Sequence, residues 1–257
     1  MIKYRKIIGD KMAITPAPAL EKGLKILEII AKEEQVSFNE LQGLTGYNVS
    51  SLNRYLHTLR HCDYIQKNSN NKYMIGLKFY SLAEKNSWWQ ALIEVTQKYI
   101  IQLSNKFQIS LLLIGYTNEQ YIVLTKQAHS NNITMMKIGT CKYYDHDIAW
   151  ALPYIDHLDS IEKENLFSSY IDNNIITEKD MKTIKADYKE KGFVYDDGYR
   201  NKNILRIGVP IYAGDNKPIA LLAAGTFKVH LENREDEVIK AMKEVSINIS
   251  KSVFTLG

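Results

Sequence analysis

Ser50, Ser51, Asn53, Arg54 and His57 alternate with Leu52, Tyr55, Leu56 and Leu59. On a helix that spacing gathers the apolar side chains into one stripe and turns the polar five outward. Their types suit a nucleic-acid surface. Arginine bonds guanine edges or phosphate, asparagine pairs with adenine, and hydroxyls reach phosphate. The same polar face would equally clothe an ordinary three-helix bundle, so periodicity alone leaves both readings open.

The elements around that stretch favour the first reading. Leu20, Leu24, Leu27 and Ile30 recur at helical spacing and predict a first helix. Ser37-Phe-Asn-Glu40 has the form of a capping box, which starts a second helix whose Leu41 and Leu44 are expected to face the core. Gly46 ends that helix, and Asn48 or Ser50 can cap the third. Two short helices around a glycine turn, with another to pack on, are the ingredients of a helix-turn-helix. Tyr64–Gln66 and Tyr73–Ile75 then read as two strands joined by a turn-rich link. Lys67 and Lys72 sit at its ends, where a basic hairpin would lie on a phosphate backbone.

Residues 77–106 read as a helical linker, broken near Asn86-Ser87. Strands are expected beyond it at Ile109–Ile114, Tyr121–Thr125, Ile133–Met136, Ile207–Tyr212 and Ile219–Gly225. Helices are expected at Ile148–Asp156, Glu178–Glu190 and Glu232–Ser252. The fold class is therefore α+β, with a largely antiparallel sheet in the second half. The domain reading is a flexible leader at 1–18, a winged helix-turn-helix at 19–76, the linker at 77–106 and a second domain at 107–257. Met12 is a second candidate start.

Charge agrees with this division. Residues 1–85 hold 13 Lys/Arg and 8 Asp/Glu, while the remainder holds 20 and 21. Only the basic third is suited to phosphate. Two cysteines, Cys62 and Cys141, make a disulfide framework unexpected. With no signal peptide and no apolar run long enough for a bilayer, a cytoplasmic protein without a membrane partner is expected.

Other chemistry finds less support. Asp145-His146-Asp147 are adjacent, and neighbours on one segment rarely converge on one metal ion; no His-Glu-x-x-His or paired Cys-x-x-Cys accompanies them. Asp196-Asp197 reads as a turn cap rather than an acid–base pair. Cys62 is expected as a small buried thiol. Trp88, Trp89 and Tyr99 read as packing or dimer contacts. No glycine-rich phosphate loop is present. Neither a catalytic site, a metal nor a cofactor is expected.

Several of these residues resemble one family in consistent order. Leu20–Leu27, Phe38–Leu41, Thr45-Gly46, Ser50–Leu56 and Tyr73–Leu77 resemble the N-terminal domain of IclR-type bacterial transcription regulators. Ile138-Gly139 with His146, Lys191–Asp197 and Pro210 resemble that family's effector domain. The resemblance spans roughly residues 19–254. It implies a winged helix joined to a GAF-like effector domain, a homodimer or tetramer, an operator of double-stranded DNA, and control of genes, as a repressor for instance, by small molecules that are often organic acids.

Carried over by position, the DNA readers are Ser50, Ser51, Asn53, Arg54 and His57. Val49 stands where relatives often have a basic residue, and Asp63 where they have glycine. The effector positions are His146, Ile148, Ala149, Trp150, Asp196, Arg206, Leu222 and Ala224. Here the chain departs from the pattern, because Arg206 stands where many members have cysteine. Two expectations follow. Arg206 clamps an anionic ligand, or it pairs with Asp145 or Asp147 and shuts the pocket. A C-terminal domain that only oligomerises is the alternative, and an enzyme with an N-terminal adaptor is a third.

Overall fold

The computed structural model describes residues 16–84, 87–133, 135–199, 201–214, 217–231 and 233–254. The expected leader at 1–18 lies mostly outside them, and Pro18 already opens a helix. The chain divides into two compact units, with the boundary between Ser87 and Trp88.

The first unit begins with α1 (Pro18–Glu33), α2 (Phe38–Thr45) and α3 (Val49–His61). Strands β1 (Ile65–Lys67) and β2 (Tyr73–Ile75) follow, then α4 (Lys78–Glu84). Ile26, Leu27, Ile30, Val36, Leu41, Leu52, Leu56, Ile65 and Tyr73 form its core. The predicted α1 stripe is only half right. Leu27 and Ile30 are buried, but Ile26 joins them, and Leu20 and Leu24 are exposed at 62% and 52%. The buried stripe therefore starts later, at Ile26, Leu27 and Ile30 in the C-terminal half of α1. Leu44, expected in the core, is also exposed, since the eight-residue α2 buries a single position, Leu41. β1 and β2 pair antiparallel, and an isolated bridge from Val36 to Tyr73 adds a third chain segment beside them.

The second unit opens with α5 (Ser87–Phe107) and builds one six-stranded sheet. Its strands are β3 (Ser110–Tyr116), β4 (Gln120–Gln127), β5 (Cys141–Tyr143), β6 (Val194–Asp196), β7 (Ile204–Tyr212) and β8 (Pro218–Phe227). The order is β5-β4-β3-β8-β7-β6, every neighbouring pair antiparallel. Between β5 and β6 run α6 (Ile148–Ile155), α7 (Ser160–Asp172) and α8 (Glu178–Lys191), and α9 (Glu235–Phe254) ends the unit.

Because strand side chains alternate between faces, the sheet carries two cores. One face packs Leu112, Ile114, Leu221 and Ala223 against α6, α7 and α8. The other packs Leu111, Leu113, Ile207, Leu222 and Ala224 against α5 and α9. Trp88, Trp89 and Tyr99 of α5 are half-buried against this second core. The α+β class and antiparallel sheet stand as read from the sequence. The strand expected at Ile133–Met136 does not form: its described residues are irregular chain over the sheet end. Asn132 accounts for this, since its side chain bonds Gln108 O, Thr226 Oγ1 and the Phe227 N–H and so anchors the segment without a ladder. Short β5 and β6, and α7 with its weak periodicity, were not foreseen.

Candidate DNA interface and effector site

Helix α3, which carries the polar face, is held by the caps before it. Ser37 Oγ accepts from the Glu40 N–H and Glu40 Oε2 accepts from the Ser37 N–H at 2.7 Å, the reciprocal pair expected from the sequence. The hydrogen bond from the Ser37 backbone, then its hydroxyl and the charge of Lys72, hold the Glu40 carboxyl below its ordinary value. Gly46 ends α2 at φ 68°, a left-handed conformation that costs glycine nothing. Asn48 then caps α3, its Oδ1 accepting from the Ser51 N–H at 2.8 Å.

Leu52 and Leu56 point inward, while Ser50, Asn53, Arg54 and His57 are exposed and Ser51 half-buried. Ser50, Asn53, Arg54 and His57 therefore share one solvent face of α3, as predicted. His57 and His61 stack in parallel one turn apart, with ring centroids 6.5 Å apart. Asp63 adopts φ 63° after α3, a left-handed conformation that aspartate tolerates better than most residues. Cys62 is exposed rather than buried, because it caps the helix on the solvent side.

In the hairpin, Asn68 Oδ1 accepts from the N–H groups of Asn70 and Lys72, so one side chain folds the tip. Lys67 is exposed with its ammonium 4.8 Å from the centre of the Tyr73 ring, and Lys72 is half-buried near Glu40. The hairpin returns so closely that a Cβ on Gly76 would come within 2.2 Å of Asp63 O.

The second site centres on Arg206 of β7. Its Nη1 donates to both oxygens of Asp147, at 2.9 and 2.7 Å, and its Nε donates to Asp196 Oδ2 at 2.6 Å. Nη2 also contacts Asp196 Oδ2. The side chains are 14% (Arg206), 6% (Asp147) and 1% (Asp196) exposed. Burial pulls the guanidinium's pKa down, but Asp147 and then Asp196 outweigh that and hold it above its ordinary value. The indole of Trp150 lies 5.3 Å from the guanidinium carbon. Each carboxylate also serves the backbone: Asp147 caps α6 through the Ala149 N–H, and Asp196 accepts from Gly198 and Tyr199. Asp196 is thus the turn cap read from the sequence and an ion partner as well.

Of the two expectations for Arg206, the structure has the pairing with Asp147. Asp145 pairs instead with its neighbour His146, which is 61% exposed. Ile148, Ala149 and Trp150 are buried on α6 beside the cluster. Leu222 and Ala224 are not brought to it. They point to the opposite face of the sheet, toward α5 and α9. Register explains this: Arg206 lies opposite Gly225, so Ala223 and Gly225 share its face, and an offset of one residue reverses every side chain. Asp145, His146 and Asp147 do not converge; among the described residues no group of three His, Cys, Asp or Glu is placed to hold a metal.

What the sequence reading missed is how the space beside the cluster is filled. Tyr116 donates to Trp150 O at 2.8 Å, Tyr144 to Thr117 O, and Tyr170 to Tyr144 O. Tyr144 and Tyr154 stack at 4.9 Å between centroids. Desolvation pushes Tyr116 and Tyr144 well up from the ordinary tyrosine value. The signal for this was compositional, since the chain has 17 tyrosines.

Comparison with known proteins agrees with the geometry. Residues 19–69 match the IclR helix-turn-helix domain. No curated protein matches the sequence significantly. Solved structures similar to the chain include an IclR transcriptional regulator from Silicibacter sp. TM1040, at 15% identity and TM-score 0.78, covering 92% of this chain and 96% of that one. An IclR homolog from Microbacterium hydrocarbonoxydans in complex with 4-hydroxybenzoate has 15% identity and TM-score 0.76, covering 93% and 100%. An IclR transcriptional regulator from Alicyclobacillus acidocaldarius has 17% identity and TM-score 0.74, covering 91% and 98%. With its capped α2–turn–α3 and its six-stranded antiparallel sheet, the chain carries an IclR helix-turn-helix domain in the fold of the IclR-family transcriptional regulators.

Proposed function

We propose that the chain is a sequence-specific DNA-binding transcription regulator whose second unit responds to a small organic molecule. The observation that carries this reading is the exposed face of α3, where Ser50, Asn53, Arg54 and His57 stand together on a helix fixed by Ser37, Gly46 and Asn48. Ser51, Lys67 and Lys72 are assigned to the phosphates flanking the groove. A single winged helix reads few bases, so a homodimer on a palindromic operator is the working assembly. The cytoplasm is its place of action, and among the described residues no helix is long and apolar enough to cross a membrane. It is read as a regulator and not an enzyme.

The similar structure that holds 4-hydroxybenzoate suggests an organic acid as the class of effector. Ile148, Ala149, Trp150, Asp196 and Arg206 are the residues assigned to that response, with His146 at its solvent edge. Ligand would act by favouring one arrangement of the dimer over another, in proportion to its difference in affinity for the two. The test is electrophoretic mobility shift with the gene's own upstream DNA. Binding should weaken steeply with salt, the logarithmic slope growing by about 0.9 for each phosphate neutralised. No binding at low salt would refute the reading. A second reading, in which the C-terminal unit only oligomerises, is favoured by one observation, the guanidinium of Arg206 already charge-paired from within by Asp147 and Asp196.

A further inference from the structure

The two carboxylates on Arg206 are not equivalent. Asp196 sits directly opposite Arg206 in the β6–β7 ladder, and its other oxygen receives two backbone N–H groups. It belongs to the scaffold. Together with Arg206 it forms a neutral pair, so Asp147 is the surplus negative charge. Asp147 comes from a different segment, grips Nη1 with both oxygens, and lies at the N-terminus of α6, whose N–H groups favour an anion there. A planar carboxylate on a guanidinium, beside buried Trp150 and Ile148, is the arrangement that would recognise an organic acid.

We propose that Asp147 is a resident carboxylate on an anion site built around Arg206, and that an organic acid enters this site only by displacing it. This rests on the reading of the second unit as a small-molecule sensor and gives its mechanism. Exchange keeps the charge of the site constant at Arg206, frees Asp147 toward solvent and removes the cap from Ala149. The exchange thereby couples ligand entry to the first turn of α6. It also explains how a chain whose pocket is filled from within can still respond to a ligand.

The experiment is thermal denaturation of the full chain with sodium formate, acetate or benzoate, against sodium chloride at equal ionic strength. In D147S the serine keeps a cap for α6 while the carboxylate is gone. D147S should melt lower than wild type and recover with the carboxylates but not with chloride, binding them at least about tenfold tighter than wild type does. The double variant D147S/R206M should show no recovery. Absence of carboxylate-specific recovery in D147S, or equal response in wild type, would overturn the proposal. Should D147S be insoluble, wild type decides: benzoate must speed amide exchange at Ala149, and unchanged exchange overturns it. Mobility shifts on the same preparations keep the two readings apart. Intact DNA binding with no recovery sinks the resident carboxylate alone, whereas loss of DNA binding in wild type sinks the regulator itself.

Discussion

Replacing Arg206 by methionine tests how far the second unit depends on its buried charges. Methionine approximates the volume of the arginine stem but leaves Asp147 and Asp196, at 6% and 1% exposure, without their counter-ion. Orphaning one member of a buried pair typically costs about 3–5 kcal/mol. Two carboxylates are orphaned here, which argues for the upper end. Each retains backbone N–H donors, from Ala149 on one side and from Gly198 and Tyr199 on the other, which pulls the value back. About 3–5 kcal/mol is therefore the expected loss, or a fall of roughly 6–20 °C in the melting temperature of a unit this size. The exposed pair Lys182–Glu178 supplies the control, because K182M should change stability by less than about 1 kcal/mol. Differential scanning calorimetry resolves both. Adding D147N and D196N to R206M should restore part of the loss, since the uncompensated charges are then gone. A fall below about 2 °C for R206M, with the second unit intact, would refute the view that the cluster is electrostatically tight.

Further outcomes are expected for five other substitutions. S37A removes one half of the capping box and should destabilise the first unit by about 1 kcal/mol in chemical denaturation. Glu40 is held below its ordinary value when folded, so its contribution is present above the unfolded pKa and disappears as pH falls through the folded one. The stability difference between wild type and E40Q should therefore hold from neutral pH down to the ordinary glutamate range and shrink as pH falls below it, as melting curves across that span would record. R54A should weaken operator binding by about 1–3 kcal/mol, and K67A should lower affinity for all sequences alike while reducing the salt slope by about 1, both measurable by fluorescence anisotropy. G76A forces a Cβ against Asp63 O and should destabilise the first unit more than S37A does, by about 2 kcal/mol or more.

Local chemistry carried the sequence reading where it succeeded. Ser37 and Glu40 specify a helix start within four residues, and Asn48, Gly46 and the Asn68 tip each satisfy backbone groups close by, so no distant partner is needed to recognise them. The nearly continuous apolar runs of β3 and β8 likewise belong to the strands themselves. The failures are of the opposite kind. Leu20 and Leu24 have helical spacing, but whether they are covered depends on elements beyond α1. The faces of Leu222 and Ala224 depend on a cross-strand register that residue types do not encode, and one step of misalignment turned both away from Arg206. The helix start at Ile148 was legible, but the choice of Asp147 over Asp145 depended on the turn that gives Asp145 to His146 and on the reach of Arg206 across from β7. The tyrosine filling involves residues from β3, the turn before α6, α6 and α7, and only the folded topology assembles them.

The ladder between β6 and β7 has three residue pairs, and β6 is the edge of the sheet. So short a strand is weakly held by its own hydrogen bonds, and sliding by one residue would reverse its faces. In the observed alignment the third pair is Asp196 with Arg206. A slip in either direction would separate them, leaving Arg206 to Asp147 alone and the Asp196 carboxylate without its cation. The ion pair thus acts as a proofreading contact for chain assembly: it penalises the misaligned edge far more than the aligned one, and β6 can remain three residues long without becoming ambiguous.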